Sequence, residues 1–167
     1  MAAVVLVGLP ATGKTTTGRA LAAATGLSFV DTDDLFFEMV GVRVPEYLRG
    51  HDEADFRARE VGVLAAALRD YDVVATGGGV VCTPAGRALL AGEATWWLDC
   101  PDEVIVARAV AGDRPLLGAD PEGRLRELRA EREEYYREVS RERLDAAQAT
   151  ESLVERLRAA LSEEAQA

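Results

Sequence analysis

A glycine-rich loop near the start of the chain constrains its fold more than any other feature. The apolar run 3–7, typical of a strand buried on both faces, leads directly into Gly8-Leu-Pro-Ala-Thr-Gly13-Lys14-Thr15. The loop fits the pattern G-x-x-x-x-G-K-[ST], and residues 15–25 after it are predicted to form a helix that ends before Gly26. A strand, a tight loop and a helix in this order bind phosphate, because the loop N–H groups converge at the positive end of the helix.

The loop residues predict how a nucleotide is held. Lys14 is the single lysine among the 19 lysines and arginines of the chain, and we expect it to reach the β- and γ-phosphates of ATP. The Thr15 hydroxyl group is expected to ligate Mg²⁺. The residues predicted to bind the nucleotide run from the middle of the loop into the first turn of the helix: Ala11, Thr12, Gly13, Lys14, Thr15 and Thr16.

Apolar runs alternate with helical patterns along the rest of the chain, and this order predicts an α/β fold. Further strands are predicted at 27–30, 73–75 and 94–98, with a weaker one at 143–146, and further helices at 34–40, 54–68, 84–90, 103–110, 124–137 and 151–161. Residues 112–123, with their glycines and prolines, are predicted to form a mobile loop. We expect one domain over residues 1–167, with helices on both faces of a parallel sheet of about five strands. Ligands of such sheets bind beyond the carboxyl ends of the strands.

The composition argues against several classes of function. A net charge of −10 and a pI near 4.7 disfavour nucleic acid as a partner, because basic surfaces hold phosphate backbones. No apolar run approaches the roughly 20 residues needed to cross a membrane. Cys82, Cys100 and His51 are too scattered for a metal cluster, and we interpret the cysteines as thiols in a reducing compartment. These features predict a soluble, cytoplasmic protein, which we expect to be a monomer.

Three carboxylates directly follow the second predicted strand. Asp31 could hold the magnesium shell through water, and Asp33 could receive the proton of an incoming hydroxyl group. Aspartate is also an ordinary capping residue, so these acids could simply begin the next helix. Their position behind a phosphate-binding loop favours the functional interpretation for Asp31 and Asp33, and we assign the cap to Asp34.

Arginines in two predicted helices could bind an anionic substrate. Arg57 and Glu60 stand at positions i and i+3, so Glu60 could orient the Arg57 guanidinium group toward a carboxylate. Arg132 is expected on the apolar side of its helix together with Leu125 and Tyr135, where a charge needs an anionic partner. A surface salt bridge and a solvent-exposed arginine are the alternatives at these positions.

Two further segments could contact ligands. Arg114 lies in the predicted loop 112–123, where a mobile arginine could close over the transferred phosphoryl group. Gly77-Gly-Gly79 follows the third strand, and its backbone N–H groups could approach a ligand closely. The alternatives are an arginine exposed to solvent and a tight turn between strand and helix.

Together these motifs resemble the shikimate kinase family, P-loop enzymes that phosphorylate the 3-hydroxyl group of shikimate with ATP. The resemblance covers about residues 4–145, with the motifs in the family's order and spacing: the phosphate loop at 8–15, D-x-D at 31–33, F-R-x-x-E at 56–60, G-G-G at 77–79, R-P-L-L at 114–117 and R-x-x-x-Y at 132–136. It implies the three-layer αβα P-loop kinase fold, with a substrate-binding helical segment at about 31–62 and a mobile lid at about 112–123.

The resemblance also implies a role for each candidate residue. Asp33 would bind the substrate hydroxyl groups and act as the base, and Arg57 and Arg132 would grip the ring carboxylate. Arg114 would bind the phosphates from the lid, and Arg108 would stack near the adenine. The backbone of the glycine motif would contact shikimate at Gly77, Gly78 and Gly79. The catalytic residues would be Lys14, Asp33 and Arg114.

The sequence departs from the family pattern at three places. Ala11 stands where the family often has glycine, a change that the loop tolerates if Ala11 keeps a negative φ. Glu134 replaces a common proline and is expected to add a negative charge near the carboxylate site. Residues 146–150 lack the basic residue that many members place over the adenine.

Two other functions are considered for the same motifs. One is a different small-molecule kinase, such as a gluconate-type sugar-acid kinase, because sugar acids also carry a carboxylate that Arg57 and Arg132 could bind. The other is a non-catalytic ATP-binding module, which would have no need of a base at Asp33.

Overall fold

Five parallel strands form one sheet in the computed structural model, which describes residues 1–112 and 117–167. The order across the sheet is β2-β3-β1-β4-β5, so that β1 is central and pairs with β3 on one side and β4 on the other. The strands are β1 (Val4–Val7), β2 (Phe29–Asp31), β3 (Val73–Ala75), β4 (Thr95–Asp99) and β5 (Glu142–Asp145). The predicted α/β fold with a parallel sheet of five strands is confirmed.

Helices connect the strands and cover both faces of the sheet. A short 3₁₀ helix at Val80–Cys82 follows β3. The α-helices of the described residues are α1 (Lys14–Thr25), α2 (Thr32–Val40), α3 (Val44–Gly50), α4 (Glu53–Asp70), α5 (Pro84–Ala91), α6 (Asp102–Ala111), α7 (Pro121–Val139) and α8 (Thr150–Gln166).

The central strands form the middle of the core. Every residue of β1 and β4 is buried, with α1 packed against β1 and β3, and α7 packed against β4. Continuous apolar runs suit such strands, and burying them is the main favourable contribution to folding. None of the helices in the described parts of the chain is long and apolar enough to cross a membrane.

Two helical regions differ from the sequence prediction. Helix α3 was not predicted, because its seven residues bury one large side chain, Tyr47, and so show no helical periodicity. Helix α7 begins at Pro121 rather than 124, since the Asp120 side chain accepts a hydrogen bond from the Gly123 N–H group at 3.1 Å and caps it. The predicted loop 112–123 is therefore shorter at its C-terminal end.

Candidate active site

The phosphate loop joins β1 to α1 at the carboxyl edge of the sheet. Gly8 has a φ of 150°, and a side chain there would overlap the Leu98 carbonyl oxygen of β4. Ala11 has a φ of 61° and is the single non-glycine residue with positive φ within residues 1–112 and 117–167. The condition under which the loop would tolerate alanine without strain, a negative φ, is not met, because the tight path of the loop imposes the left-handed conformation on Ala11.

The Lys14 ammonium group lies inside this loop. Its Nζ atom donates hydrogen bonds to the carbonyl oxygens of Gly8 at 2.9 Å and Leu9 at 2.8 Å. Burial lowers the pKa of Lys14 to about 8, an effect that Asp33 and Asp31 oppose by stabilising the charged form. Lys14 therefore keeps its positive charge at neutral pH beside the N-terminus of α1.

The first turn of α1 faces the end of β2. The Thr15 hydroxyl group donates a hydrogen bond to the Asp31 carboxylate, which brings these two predicted magnesium-site residues together. Thr12 is buried, and its hydroxyl group donates to the Leu9 carbonyl oxygen at 2.9 Å. Thr16 is exposed in the same turn. N–H groups in the first turn of a helix have no partner within the helix, so they are available to phosphate.

Asp31 also begins the next helix. Its carboxylate accepts a hydrogen bond from the Asp33 N–H group at 2.8 Å and is the N-cap of α2. The assignment of the cap to Asp34 is wrong, since α2 starts at Thr32 and Asp34 lies inside its first turn. Asp34 instead forms an exposed ion pair with Arg43 at 3.0 Å.

The Asp33 carboxylate borders the glycine turn 77–79. A Cβ atom on Gly77 would lie 3.0 Å from Asp33 Oδ1 and 3.5 Å from Glu60 Oε2. Desolvation in the cleft, together with the charges of Asp31 and Glu60, raises the pKa of Asp33 to about 6 against the opposing effect of Lys14. A carboxylate that titrates this close to neutral pH is suited to accept a proton from a hydroxyl group.

Arg57 packs directly against the glycine turn from α4. Its Nη1 atom donates to Glu60 Oε1 at 2.8 Å, and Glu60 is buried, so this pair is held in place and is not a mobile surface contact. A Cβ atom on Gly79 would overlap Arg57 Nη1, so a side chain at this position would displace the guanidinium group. The buried Nε atom of Arg57 has no hydrogen-bond partner among the described residues.

Arg132 approaches the same turn from α7. It is 8% exposed, and a Cβ atom on Gly78 would lie 3.1 Å from its Nη1 atom. Its Nε atom also finds no partner in the described part of the chain. Arg132 lies on the buried side of α7, as predicted, but Tyr136 and not Tyr135 is the fully buried aromatic residue there. The reason is the helical repeat, which places Tyr136, eleven residues after Leu125, on that side.

Glu134, which replaces a proline common in the family, lies on α7 away from the glycine turn. Its side chain is exposed and forms an ion pair with Arg137. Positions i and i+2 of a helix do not share a face, so Glu134 does not sit beside Arg132. The expectation that Glu134 brings a negative charge to the carboxylate site is therefore wrong.

Arg108 of α6 lies beside the phosphate loop. Its Nη2 atom donates to the Ala146 carbonyl oxygen at 2.7 Å, just after β5, and a Cβ atom on Gly13 would lie 4.0 Å from its Nη1 atom. Arg108 thus links the loop to the segment that follows the edge strand. The predicted lid residue Arg114 falls within 113–116, outside the described residues.

Two side chains that hold the glycine turn were not predicted as site residues. The Thr32 hydroxyl oxygen accepts a hydrogen bond from the Gly77 N–H group at 2.9 Å. The Tyr136 hydroxyl group donates to the Gly78 carbonyl oxygen at 2.6 Å. Thr32 has no sequence signal beyond its place inside the D-x-D motif, and the R-x-x-x-Y motif includes Tyr136 without indicating what it contacts.

The oxygen atoms beside the loop suit a magnesium ion. Within residues 1–112 and 117–167, no cluster of three or more His, Cys, Asp or Glu side chains could hold a metal by itself. Thr15 and Asp31 nevertheless bring a hydroxyl and a carboxylate oxygen together at the start of α1. Mg²⁺ prefers such hard oxygen ligands and commonly keeps waters and substrate phosphates as its remaining ligands. This donor set fits Mg²⁺ bound together with a nucleotide.

Comparison with known proteins gives a consistent match. The family model for shikimate kinase matches residues 10–162. The shikimate kinase of Halorhodospira halophila is 45% identical over 139 residues, covering 81% of this chain and 78% of that protein. The structure of shikimate kinase from Acinetobacter baumannii in complex with shikimate superimposes with a TM-score of 0.88 at 33% identity, covering 96% of this chain and 93% of that one.

A more distant likeness extends to a sugar-acid kinase. The crystal structure of a gluconokinase from Sinorhizobium meliloti superimposes with a TM-score of 0.67 at 20% identity, covering 99% of this chain and 94% of that one. At this level of identity the two chains share a fold, and the likeness carries no information about the substrate.

Proposed function

The chain belongs to the shikimate kinase family, and on that premise we propose that it transfers the γ-phosphate of ATP to the 3-hydroxyl group of shikimate. The observation that carries the proposal is that the guanidinium groups of Arg57 and Arg132 meet at the glycine turn 77–79. Each has a buried Nε–H group without a partner among the described residues. Two cations held side by side at one turn favour an anionic ligand, and a substrate carboxylate would accept hydrogen bonds from their guanidinium groups.

We assign the acceptor hydroxyl group to Asp33. Its carboxylate lies at Gly77, at the start of the turn that the two arginines contact at Gly78 and Gly79, and its charge interacts with that of Lys14. A ring that carries a carboxylate at one end and hydroxyl groups at the other would place the carboxylate at the arginines and a hydroxyl group at Asp33. Phosphoryl transfer passes through a loose transition state, so Asp33 would act mainly by positioning the hydroxyl group and would take its proton as transfer proceeds.

The donor would occupy the phosphate loop. The free N–H groups at the start of α1 and the Lys14 ammonium group would bind the phosphates of ATP. Arg108, between Gly13 and Ala146, would lie near the adenine. We retain Arg114 as the lid arginine, with 112–123 as the lid and 31–62 as the substrate-binding segment.

Thr15 and Asp31 would hold Mg²⁺, Thr15 through its hydroxyl group and Asp31 through water. Bound there, the ion would supply positive charge to offset the negative charge that develops on the phosphate oxygens. The role of the protein here would be to hold the Thr15 hydroxyl oxygen and the Asp31 carboxylate oxygen side by side. Asp31 is fixed for this purpose by its second contact, the hydrogen bond from the Asp33 N–H group.

The identity of the acceptor is tested by a panel of alcohols. Purified protein is supplied with ATP, Mg²⁺ and either shikimate or gluconate, and the release of ADP is measured. We expect turnover with shikimate and none above background with gluconate. Turnover with gluconate alone would replace this proposal by the sugar-acid kinase alternative.

Asp33→Asn separates an enzyme from a nucleotide-binding module. Because the amide cannot accept the proton, we expect phosphorylation of shikimate to fall by at least 100-fold, while the affinity for ATP changes less than twofold. Asp34→Asn is the matched control, since Asp34 is exposed and paired with Arg43, and it should leave turnover unchanged. Unchanged turnover in Asp33→Asn would remove the base assignment.

We also propose that the protein works as a monomer in the cytoplasm. Both cysteines are free, with Cys100 buried and Cys82 partly buried, as suits a reducing compartment. Light scattering during gel filtration tests the monomer, which predicts a mass near 17.9 kDa.

A further inference from the structure

Tyr136 is the largest fully buried side chain of the described residues, yet it ends in a polar group. Its ring lies 6.0 Å from the ring of Trp97 at an interplanar angle of 29°, and this stacking fixes the ring between α7 and β4. Its hydroxyl group reaches the glycine turn and donates to the Gly78 carbonyl oxygen at 2.6 Å. Burial raises the pKa of Tyr136, so the hydroxyl group stays protonated and remains a donor throughout the neutral range.

The contact determines how one peptide group is oriented. The peptide between Gly78 and Gly79 is trans, so its carbonyl oxygen and its N–H group point in opposite directions. With the oxygen held by Tyr136, the Gly79 N–H group is directed away from Tyr136. Neither the Gly78 nor the Gly79 N–H group donates to another described residue, so neither has an acceptor in the part of the chain that the structure describes.

A glycine turn needs such a restraint more than other turns do. Three consecutive glycines have no Cβ atoms to limit their backbone conformations, so the turn would otherwise sample many orientations. The first residue of the turn is held by the hydrogen bond from the Gly77 N–H group to the Thr32 hydroxyl oxygen. The second is held by the hydrogen bond from the Tyr136 hydroxyl group to the Gly78 carbonyl oxygen. Arg132, four residues before Tyr136 on the same side of α7, lies against Gly78 as well.

We propose that Tyr136 is a positioning residue for the acceptor substrate: its hydroxyl group fixes the Gly78–Gly79 peptide so that the free N–H groups and the Arg132 guanidinium group face one bound molecule together. The inference rests on the proposed function for the identity of that molecule. In this proposal α7 contributes to acceptor binding in two ways. Arg132 supplies a charge, and Tyr136 fixes the backbone conformation of the glycine turn.

Tyr136→Phe tests the proposal, because phenylalanine keeps the ring and its stacking on Trp97 and removes the donor alone. A neutral hydrogen bond corresponds to about a 3- to 10-fold change in an equilibrium constant, so we expect the KM for shikimate to rise by about that factor. The KM for ATP should stay within twofold. The matched control is Tyr135→Phe, the neighbouring tyrosine on another face of α7, which should leave both KM values unchanged.

A second measurement does not depend on the substrate. In ¹⁵N-labelled protein, Tyr136→Phe should shift the Gly78 and Gly79 amide resonances and speed their hydrogen exchange, whereas Tyr135→Phe should not. If the wild type fails to phosphorylate shikimate while the resonances shift, the proposed function is lost but Tyr136 still orders the turn. Unmoved glycine resonances, or a shikimate KM in Tyr136→Phe equal to that of Tyr135→Phe, would overturn the positioning role.

Discussion

At the scale of single residues, Asp33 and Lys14 show how surroundings change ordinary side-chain chemistry. The pKa of the Asp33 carboxyl group rises to about 6, mainly through desolvation, and the pKa of the Lys14 ammonium group falls to about 8 for the same reason. The two charges face the same cleft and partly stabilise each other. A base and a cation that both titrate near neutral pH are typical of catalytic sites and uncommon among purely structural residues.

These pKa values predict a bell-shaped pH profile for kcat/KM, which reports groups of the free enzyme. Activity should fall below about pH 6, because protonation of Asp33 removes the proposed base, and above about pH 8, because deprotonation of Lys14 removes the proposed phosphate-binding cation. Steady-state rates between pH 5 and 9.5 measure the profile. In Lys14→Arg the alkaline limb should disappear, since arginine stays charged. An acid limb near pH 4 would contradict the environment assigned to Asp33.

The positive φ of Ala11 predicts that replacing this residue by glycine stabilises the protein. Its φ of 61° is unfavourable for a residue with a Cβ atom, so Ala11→Gly should raise the free energy of unfolding by up to about 1 kcal/mol. The control is Ala58→Gly in the exposed interior of α4, which should lower it by about 0.5–1 kcal/mol. Urea unfolding measures both. A loss of stability in Ala11→Gly equal to that of the control would mean that the loop is not strained at this position.

At the scale of elements, the proposed acceptor site is formed where two helices meet at one turn. Helix α4 contributes Arg57, held by Glu60, and α7 contributes Arg132 on its buried side. Neither helix would be recognised as functional from its apolar pattern, because α4 and α7 also form part of the core. The charged residues on their inner faces are what distinguishes them.

Arg57→Ala and Arg132→Ala should each weaken shikimate binding by roughly 10- to 100-fold, since each removes a charge-assisted contact worth about 1.5–3 kcal/mol. Titration calorimetry with shikimate measures the dissociation constant, and a parallel titration with ATP should show little change. Arg59→Ala is the matched control, because Arg59 is exposed on the same helix. An effect confined to ATP binding would place the carboxylate pocket elsewhere.

The contacts of Arg129 anchor α7 to the sheet, and this anchoring can be tested by measuring stability. It contacts Asp99 at the end of β4 at 3.1 Å, Asp102 of α6 at 2.7 Å and the Cys100 carbonyl oxygen at 3.1 Å. Asp99 is buried, so Arg129→Ala should cost about 2–3 kcal/mol of unfolding free energy even though Arg143 still pairs with Asp99. Arg137→Ala, an exposed arginine of the same helix, should cost less than about 0.5 kcal/mol. Equal losses in the two variants would show that Arg129 is not an anchor.

At the scale of the whole molecule, the sequence predicts the sheet because each central strand is a continuous apolar run between helical patterns. It also predicts which residues come together, since Lys14, Asp33 and Gly77 all follow strands and a parallel sheet places those ends at one edge. Arg57 and Arg132 are predictable as a pair from their motifs.

Other features of the site could not be read from the sequence, because they depend on contacts between distant segments. The hydrogen bond from Tyr136 to Gly78 joins residues 58 positions apart. The left-handed backbone at Ala11 belongs to the tight path of the phosphate loop, and alanine gives no local signal for it. Helix α3 is too short to show periodicity and is held by the packing of Tyr47 against Phe36 and Phe56.

The proposed reaction requires that the two guanidinium groups at the glycine turn share one carboxylate of the acceptor. A crystal structure with ADP and shikimate measures this directly. We expect the shikimate carboxylate within about 3 Å of nitrogen atoms of both Arg57 and Arg132, and its 3-hydroxyl group within hydrogen-bond distance of Asp33. Shikimate bound with its carboxylate in solvent, away from both arginines, would contradict the account.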